Sequence, residues 1–104
     1  MKLDKNSGVP IKESQAIALT HAYQSKRPKT NKAYFIGSDL IKKIMGQKNC
    51  IGIRIYNGFD TKTEENNRVL VGVNAEGEDM VEGIIGEELI PCPDNCSRKI
   101  SLMK

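Results

Sequence analysis

The spacing of the apolar residues changes near residue 50, and this change most constrains the fold. Before it, apolar side chains recur every three or four residues, which is the period of one face of a helix. After it, apolar and polar residues alternate, as they do in a strand with one buried face. This order predicts an α+β domain, in which two N-terminal helices pack on a three- to four-stranded, mainly antiparallel sheet.

Two helices are predicted in the first half of the chain. The first covers residues 12–26 and has Leu19 and Tyr23 on its buried face. It ends before Pro28, because proline disfavours helical backbone at the residue that precedes it. The second covers residues 38–46, and its first residue, a serine, is the expected N-cap.

Three or four short strands are predicted from β-forming residues and from alternation. The run of residues 34–36 is a short strand or an extended lead-in. The alternating strands cover residues 51–56, which end at Asn57-Gly58, and residues 68–73. Residues 80–85 form a weaker strand.

The length of 104 residues predicts a single domain, with residues 1–10 as an entry segment and residues 91–104 as a cysteine-bearing tail. No apolar run approaches the roughly 18 residues of a membrane span, and the start of the chain turns polar before a signal-peptide core could form. We therefore expect a cytoplasmic protein that does not enter a membrane.

The net charge of +3 is distributed unevenly. Residues 1–50 carry ten Lys/Arg and three Asp/Glu, for a net +7, whereas residues 51–104 carry six and ten, for a net −4. Opposite fields on two halves can steer partners or attract each other, and the simpler interpretation is a set of solvated faces.

A binding surface is predicted on the first alternating strand. Arg54 and Tyr56 share the strand face opposite the isoleucines, and we expect Leu70 and two glycines beside them on an open face if the helices cover the isoleucine face. Tyr and Arg are favoured at interaction hot spots, and Tyr34 is added to this surface. We expect the partner to be another protein or a second copy of this chain. Alternatively, the segment 89–103 folds back over the face.

The three cysteines allow three interpretations. Cys92 and Cys96, with three residues between them, could join Cys50 and His21 in a Cys3His zinc site. Cys92 and Cys96 could instead form a redox-labile disulfide, or all three thiols could be free. For His21, the simplest expectation is a hydrogen bond to the backbone or to water.

A basic stretch follows the first helix and offers a nucleic-acid alternative. Lys26, Arg27, Lys29 and Lys32 could each neutralise a phosphate, and Tyr34 or Phe35 could stack on an unpaired base. No recognised nucleic-acid module accompanies them, so a solvated loop between the helices is the preferred interpretation.

Four segments together resemble a group of small bacterial proteins, of a type found in the Bacteroidota. They are Ala22-Tyr23-Gln24-Ser25-Lys26-Arg27-Pro28, Cys50-Ile51-Gly52-Ile53-Arg54-Ile55-Tyr56, Val69-Leu70-Val71-Gly72-Val73 and Cys92-Pro93-Asp94-Asn95-Cys96. The resemblance implies a bacterial origin and carries no known activity.

No nucleophile elbow, glycine-rich phosphate loop or metalloprotease helix is present in the sequence. We therefore expect a non-catalytic binding or interaction module without a required cofactor, and with homodimerisation as one mode of action. The alternatives are a metal- or redox-responsive protein that uses the C-terminal cysteines with zinc, and a weak nucleic-acid binder that uses the basic stretch.

Overall fold

The computed structural model describes residues 2–87, 89–92 and 101–103. Its helices and strands follow one another as α1 Glu13–Lys26, β1 Ala33–Phe35, α2 Ser38–Met45, β2 Cys50–Asp60, β3 Glu65–Asn74, β4 Ile85–Gly86 and β5 Ile90–Cys92. Both helices precede the main sheet, so the predicted α+β arrangement is confirmed. Within the described ranges, no helix is long and apolar enough to cross a bilayer.

The strands form two sheets rather than one. β2, β3 and β4 make a three-stranded antiparallel sheet in that order, and β1 pairs with β5 in a separate antiparallel pair. β1 lies within one residue of its predicted position, but its pairing partner, near the end of the chain, was not predicted.

The main hairpin is longer than its turn residues suggested. β2 continues through Asn57 and Gly58, which pair with β3, so the prediction that this dipeptide ends the strand was wrong. The turn forms farther on, where Asp60 Oδ1 accepts hydrogen bonds from the backbone N–H groups of Lys62 and Thr63 at 2.8 and 3.3 Å. Cross-strand pairing thus outweighs the local turn preference of Asn-Gly.

The strand predicted over residues 80–85 is mostly a turn. Of residues 80–85, Ile85 alone belongs to β4. Met80 N–H donates to Gly72 O at 2.8 Å, and Gly83 N–H donates back to Met80 O at 3.0 Å. The glycine therefore bends the chain away from β3 before β4 begins.

α2 packs on one face of the three-stranded sheet, where Ile44 is fully buried and Leu70 is 4% exposed. Glycines allow this close approach: a Cβ atom at Gly86 would lie 2.7 Å from Leu40 Cδ2, and one at Gly72 would lie 3.4 Å from Ile44 Cγ2. The helix begins one residue after its N-cap, which is the preceding glycine at position 37 and not the serine that was predicted.

The register corrects the predicted composition of the open face. Leu70 pairs with Ile55, and Gly72 pairs with Ile53. Directly opposed residues point to the same side of an antiparallel sheet, so Leu70 and Gly72 lie on the isoleucine face beneath α2. The prediction that they lie beside Arg54 was therefore wrong.

α1 has the predicted bounds to within one residue but buries a different side. Leu19 is 67% exposed, whereas Gln24 is buried. The buried side is held by residues 101–103: Gln24 Nε2 donates to Leu102 O at 2.8 Å, and His21 Nε2 lies 3.1 Å from Ser101 O. These polar contacts to backbone carbonyls leave no apolar pattern in the sequence, so the buried side of the helix was not predicted.

Candidate functional site

β2 is the outer strand of the three-stranded sheet, and half of its backbone polar groups point away from β3. Gly72 O accepts from Met80 N–H, and Asn74 N–H donates to Glu78 O at 3.1 Å, so both residues of β3 direct their backbone groups away from β2. Ile53, which is opposite Gly72, therefore belongs to a pair without mutual hydrogen bonds and points its own groups outward.

The same orientation repeats at every second residue. We call the outward N–H and C=O groups of Ile53, Ile55, Asn57 and Phe59 the free edge. In the part of the chain that the structure describes, no hydrogen bond reaches these backbone groups. An unpaired row of donors and acceptors on a long outer strand is a template for pairing with another strand.

Apolar side chains lie along this edge. Ile55 is 63% exposed and Phe59 is 59% exposed, and both point to the face that carries α2. Leu70, directly opposite Ile55, is buried. The helix contacts both β2 and β3, but it leaves the more distal β2 residues Ile55 and Phe59 uncovered.

A groove of about 360 Å³ marks where the free edge begins. Leu3, Asp4 and Ser7 line it together with Ile55 and residues that precede it in β2. No residue of β2 beyond Ile55 lines this groove. The distal half of the free edge, at Asn57 and Phe59, thus lies beyond the groove and the N-terminal residues that line it.

Arg54 and Tyr56 occupy the opposite face, where both bind Asp79. Arg54 Nη1 donates to one carboxylate oxygen of Asp79, and the Tyr56 hydroxyl donates to the other. Arg54 Nη1 and Nη2 also donate to Gly77 O, each at 3.3 Å. The guanidinium predicted to meet a partner is therefore already bound by the chain's own acidic 76–82 stretch.

The three groups shift one another's pKa values. The hydrogen bond from Tyr56, followed by the contact with Arg54, lowers the pKa of Asp79. The hydrogen bond to the Asp79 carboxylate raises the pKa of Tyr56 and also that of Arg54. All three effects favour the state in which Asp79 is ionised, Tyr56 is protonated and Arg54 is cationic.

Tyr34 lies elsewhere than the other two residues of the predicted surface. Its ring packs under Arg68, with the guanidinium carbon 4.5 Å from the ring centroid, and its hydroxyl accepts from Asn31 Nδ2 at 3.3 Å. Arg68 pairs with Asn57 and so lies on the isoleucine face. The predicted binding surface is therefore divided between two faces of the hairpin.

The basic stretch lies beside the groove that contains Tyr34. Lys26, Arg27 and Lys29 are exposed, and Lys32 lines a groove of about 290 Å³ between α1 and the hairpin together with Tyr34 and Arg68. Among the described residues, no ion pair involves the four predicted cations.

Cys50, His21 and Cys92 are the predicted metal ligands that the structure describes, and they do not form one cluster. Cys50 Sγ donates to Gly52 O at 3.2 Å, and His21 contacts the backbone at Ser101, as expected for a histidine at the boundary of a buried face. Cys92 is buried and disulfide-bonded, while Cys96 lies outside the described residues. No group of three or more His, Cys, Asp or Glu side chains in the described ranges could hold a metal ion. The zinc and redox hypotheses, which include Cys96, stay predictions.

No family model, curated protein or solved structure matches this chain. The resemblance to the bacterial group therefore also stays a prediction.

Proposed function

We propose that this chain is a non-catalytic protein-interaction module that binds an extended polypeptide segment along the free edge of β2. The observation that carries the proposal is the outward row of backbone donors and acceptors at Ile53, Ile55, Asn57 and Phe59. In strand addition, such groups supply main-chain hydrogen bonds, and the alternate side chains supply specificity.

The edge has few of the features that usually prevent pairing, since its single charged side chain in residues 53–59, Arg54, is bound by Asp79. Outer strands are commonly protected by lysine, by proline or by a bulge. Residues 53–59 contain neither lysine nor proline, and the irregularity in the β2–β3 register lies earlier, between Cys50 and Gly52. An edge of this composition is suited to acquiring a further strand.

The contacts of Asp79 prepare the strand for binding. By holding Arg54 and Tyr56 from the opposite face, the carboxylate restricts two long side chains before any partner arrives. A strand that is already ordered loses less conformational entropy on association. In this proposal Arg54 is thus a positioning residue for the edge and not the primary contact.

The experiment places a photo-crosslinking amino acid at Phe59 of the full-length chain, in the cells that produce it. We expect a discrete crosslinked product that contains a second polypeptide. It should disappear when Asn57→Pro is added, because proline removes the outward N–H, and it should persist with Asn57→Ala, which loses the same side chain but keeps that N–H.

The Asn57 N–H points away from β3, so proline there removes no hydrogen bond of the hairpin. The same crosslinker at the exposed Glu76 is the control for proximity without edge binding. No product at Phe59, or a product insensitive to Asn57→Pro, would show that the free edge is not the binding site.

A second candidate function is supported by the groove at Tyr34. Arg68 is stacked on Tyr34, and Lys32 lies beside them. Proteins that bind single-stranded nucleic acid combine aromatic rings and positive charge in this way. Affinity for a single-stranded oligonucleotide should fall with added salt by about 0.7 in log–log slope per phosphate contact. Lys29→Glu should reduce both affinity and slope, whereas Lys62→Glu, in the hairpin turn, should change neither. A salt-independent affinity would rule this function out.

A further inference from the structure

We propose that the segment that pairs with the free edge is β2 of a second copy of this chain, antiparallel and related by a two-fold axis through Asn57. The inference rests on the proposed function and names its partner. Paired in this way, the two three-stranded sheets would become one continuous sheet across the interface.

The outward backbone groups restrict the registers that can form. In an antiparallel pair, residues whose groups face the partner must oppose one another, so positions 53, 55, 57 and 59 of one copy must face members of the same set in the other. A two-fold axis through Asn57 satisfies this condition for positions 55, 57 and 59, while Ile53 faces Thr61, which lies beyond the end of β2. Asn57 then faces its counterpart, and Ile55 faces Phe59 of the second copy.

This register covers the exposed apolar side chains on both copies. Ile55 and Phe59 lie on the same face of β2 and are 63% and 59% exposed. The two-fold axis places Ile55 of each copy opposite Phe59 of the other, so this pair forms on both sides of Asn57. A β-branched residue directly opposite an aromatic residue is among the favourable cross-strand pairs.

The opposite face of the strand is also complementary in this register. Arg54 faces Asp60 of the second copy, and opposite charges at directly opposed positions favour pairing. Tyr56 faces Gly58 of the second copy, an aromatic ring over a glycine. Arg54 keeps Asp79 as its partner within its own chain, so the guanidinium lies between two carboxylates.

Neighbouring registers lack this complementarity. An axis through Tyr56 would place Arg54 opposite Gly58 and Ile55 opposite Asn57. An axis through Ile55 would place Phe59 opposite Ile51, where the N-terminal residues Leu3 and Asp4 line the adjoining groove. The axis through Asn57 uses mainly the distal half of β2, beyond that groove.

The first experiment measures mass in solution by sedimentation over about a hundredfold range of concentration. We expect the wild-type protein and Asn57→Ala to be dimers, and Asn57→Pro to have half their mass. Circular dichroism of Asn57→Pro should match that of wild type, since the hairpin hydrogen bonds are intact. A wild-type protein that stays a monomer throughout would overturn the inference.

The second experiment tests the register by disulfide trapping in a Cys50→Ser background. Two copies of Asn57→Cys would lie about 5.5 Å apart between Cα atoms, within the range of a disulfide. Two copies of Ile55→Cys would be offset by four residues, about 13 Å, and serve as the control. We expect covalent dimers at least about tenfold faster from Asn57→Cys. Equal rates would overturn the proposed register.

The two proposals can fail separately. Suppose that the protein is a monomer, that the crosslinker at Phe59 captures a different protein, and that Asn57→Pro abolishes this capture. That outcome would contradict self-pairing and support the interaction module. A monomer without such crosslinks would contradict both.

Discussion

The guanidinium carbon of Arg68 lies 4.5 Å from the centroid of the Tyr34 ring, and this contact joins the two sheets. Arg68 belongs to β3 in the three-stranded sheet, whereas Tyr34 belongs to β1 in the two-stranded one. Asn31 reinforces the junction, because its Nδ2 group donates both to the Tyr34 hydroxyl and, at 3.4 Å, to Asn66 O of β3. The position of β1 on the hairpin therefore depends on a few polar and aromatic contacts.

The first prediction concerns the energy of this junction. Arg68→Met and Tyr34→Leu should each lower the free energy of unfolding, and a double-mutant cycle should give a coupling of about 0.5–1 kcal/mol, as for a partly exposed cation–π pair. Urea denaturation measures the four free energies. Arg27→Met, which removes an exposed arginine at the end of α1, should show no coupling to Tyr34→Leu.

The second prediction concerns stability in acid. The pKa of Asp79 is lower in the folded chain than its ordinary value of 3.8, so the ionised carboxylate stabilises the fold above that value. This contribution should be lost as the pH falls through the folded-state pKa. The difference in unfolding free energy between wild type and Asp79→Asn should therefore be constant near neutral pH and shrink below about pH 4. Glu76→Gln removes the same charge and is the control. A difference between wild type and Asp79→Asn that stays constant down to the lowest pH would contradict the contacts of Asp79.

The third prediction concerns the ionisation of Tyr56. Its pKa is raised above the ordinary value of 10.0, chiefly because its hydroxyl donates to Asp79. The difference between the ultraviolet titration curves of wild type and Tyr56→Phe isolates this phenol. We therefore expect it to ionise at a higher pH than an ordinary tyrosine. In an Asp79→Asn background the pKa of Tyr56 measured in this way should move back towards 10.0. By the same sign, the stabilisation from this hydrogen bond should be present below pH 10 and be lost as the pH rises through the raised pKa.

The fourth prediction compares two glycines that lie on opposite faces of the hairpin. A Cβ atom at Gly72 would lie 2.9 Å from Gln47 Nε2 and 3.0 Å from Cys50 Sγ, beneath α2, whereas one at Gly52 would meet nothing within 4 Å. Gly72→Ala should lower the free energy of unfolding by about 1–3 kcal/mol through overpacking. Gly52→Ala should leave it unchanged or raise it by up to about 1 kcal/mol, because alanine reduces the entropy of the unfolded chain. Equal effects in thermal denaturation would contradict the packing of α2 against β3.

Local patterns sufficed for most helix and strand positions. α1 ends at Lys26 because Pro28 excludes helical backbone just before itself, and the alternation around Ile53 predicted where β2 begins but not where it ends. The shared face of Arg54 and Tyr56 followed from the same alternation. The pairing of both residues with Asp79 did not, because more than twenty residues separate Asp79 from them and no local pattern specifies its position.

The free edge was missed because a strand's alternation does not say whether it lies inside or outside a sheet. Asn57-Gly58 was the one signal that pointed towards the site, and it was interpreted as a turn. Asn and Gly are both favoured in turns, yet the pairing of Asn57 with Arg68 extends the strand. The outcome depended on the partner strand and not on the dipeptide.

The sequence by itself determined that helices precede strands, where the helices end and which residues of β2 share a face, because these follow from backbone sterics and periodicity over a few residues. Tertiary structure alone decided that Leu70 lies under α2, that Gln24 binds Leu102 O, and that the outward groups of Asn57 and Phe59 have no partner among the described residues. Each of these depends on a contact between segments distant in the chain. Such contacts are selected by the packing and hydrogen bonding of the whole domain, which the spacing of residues in one segment does not encode.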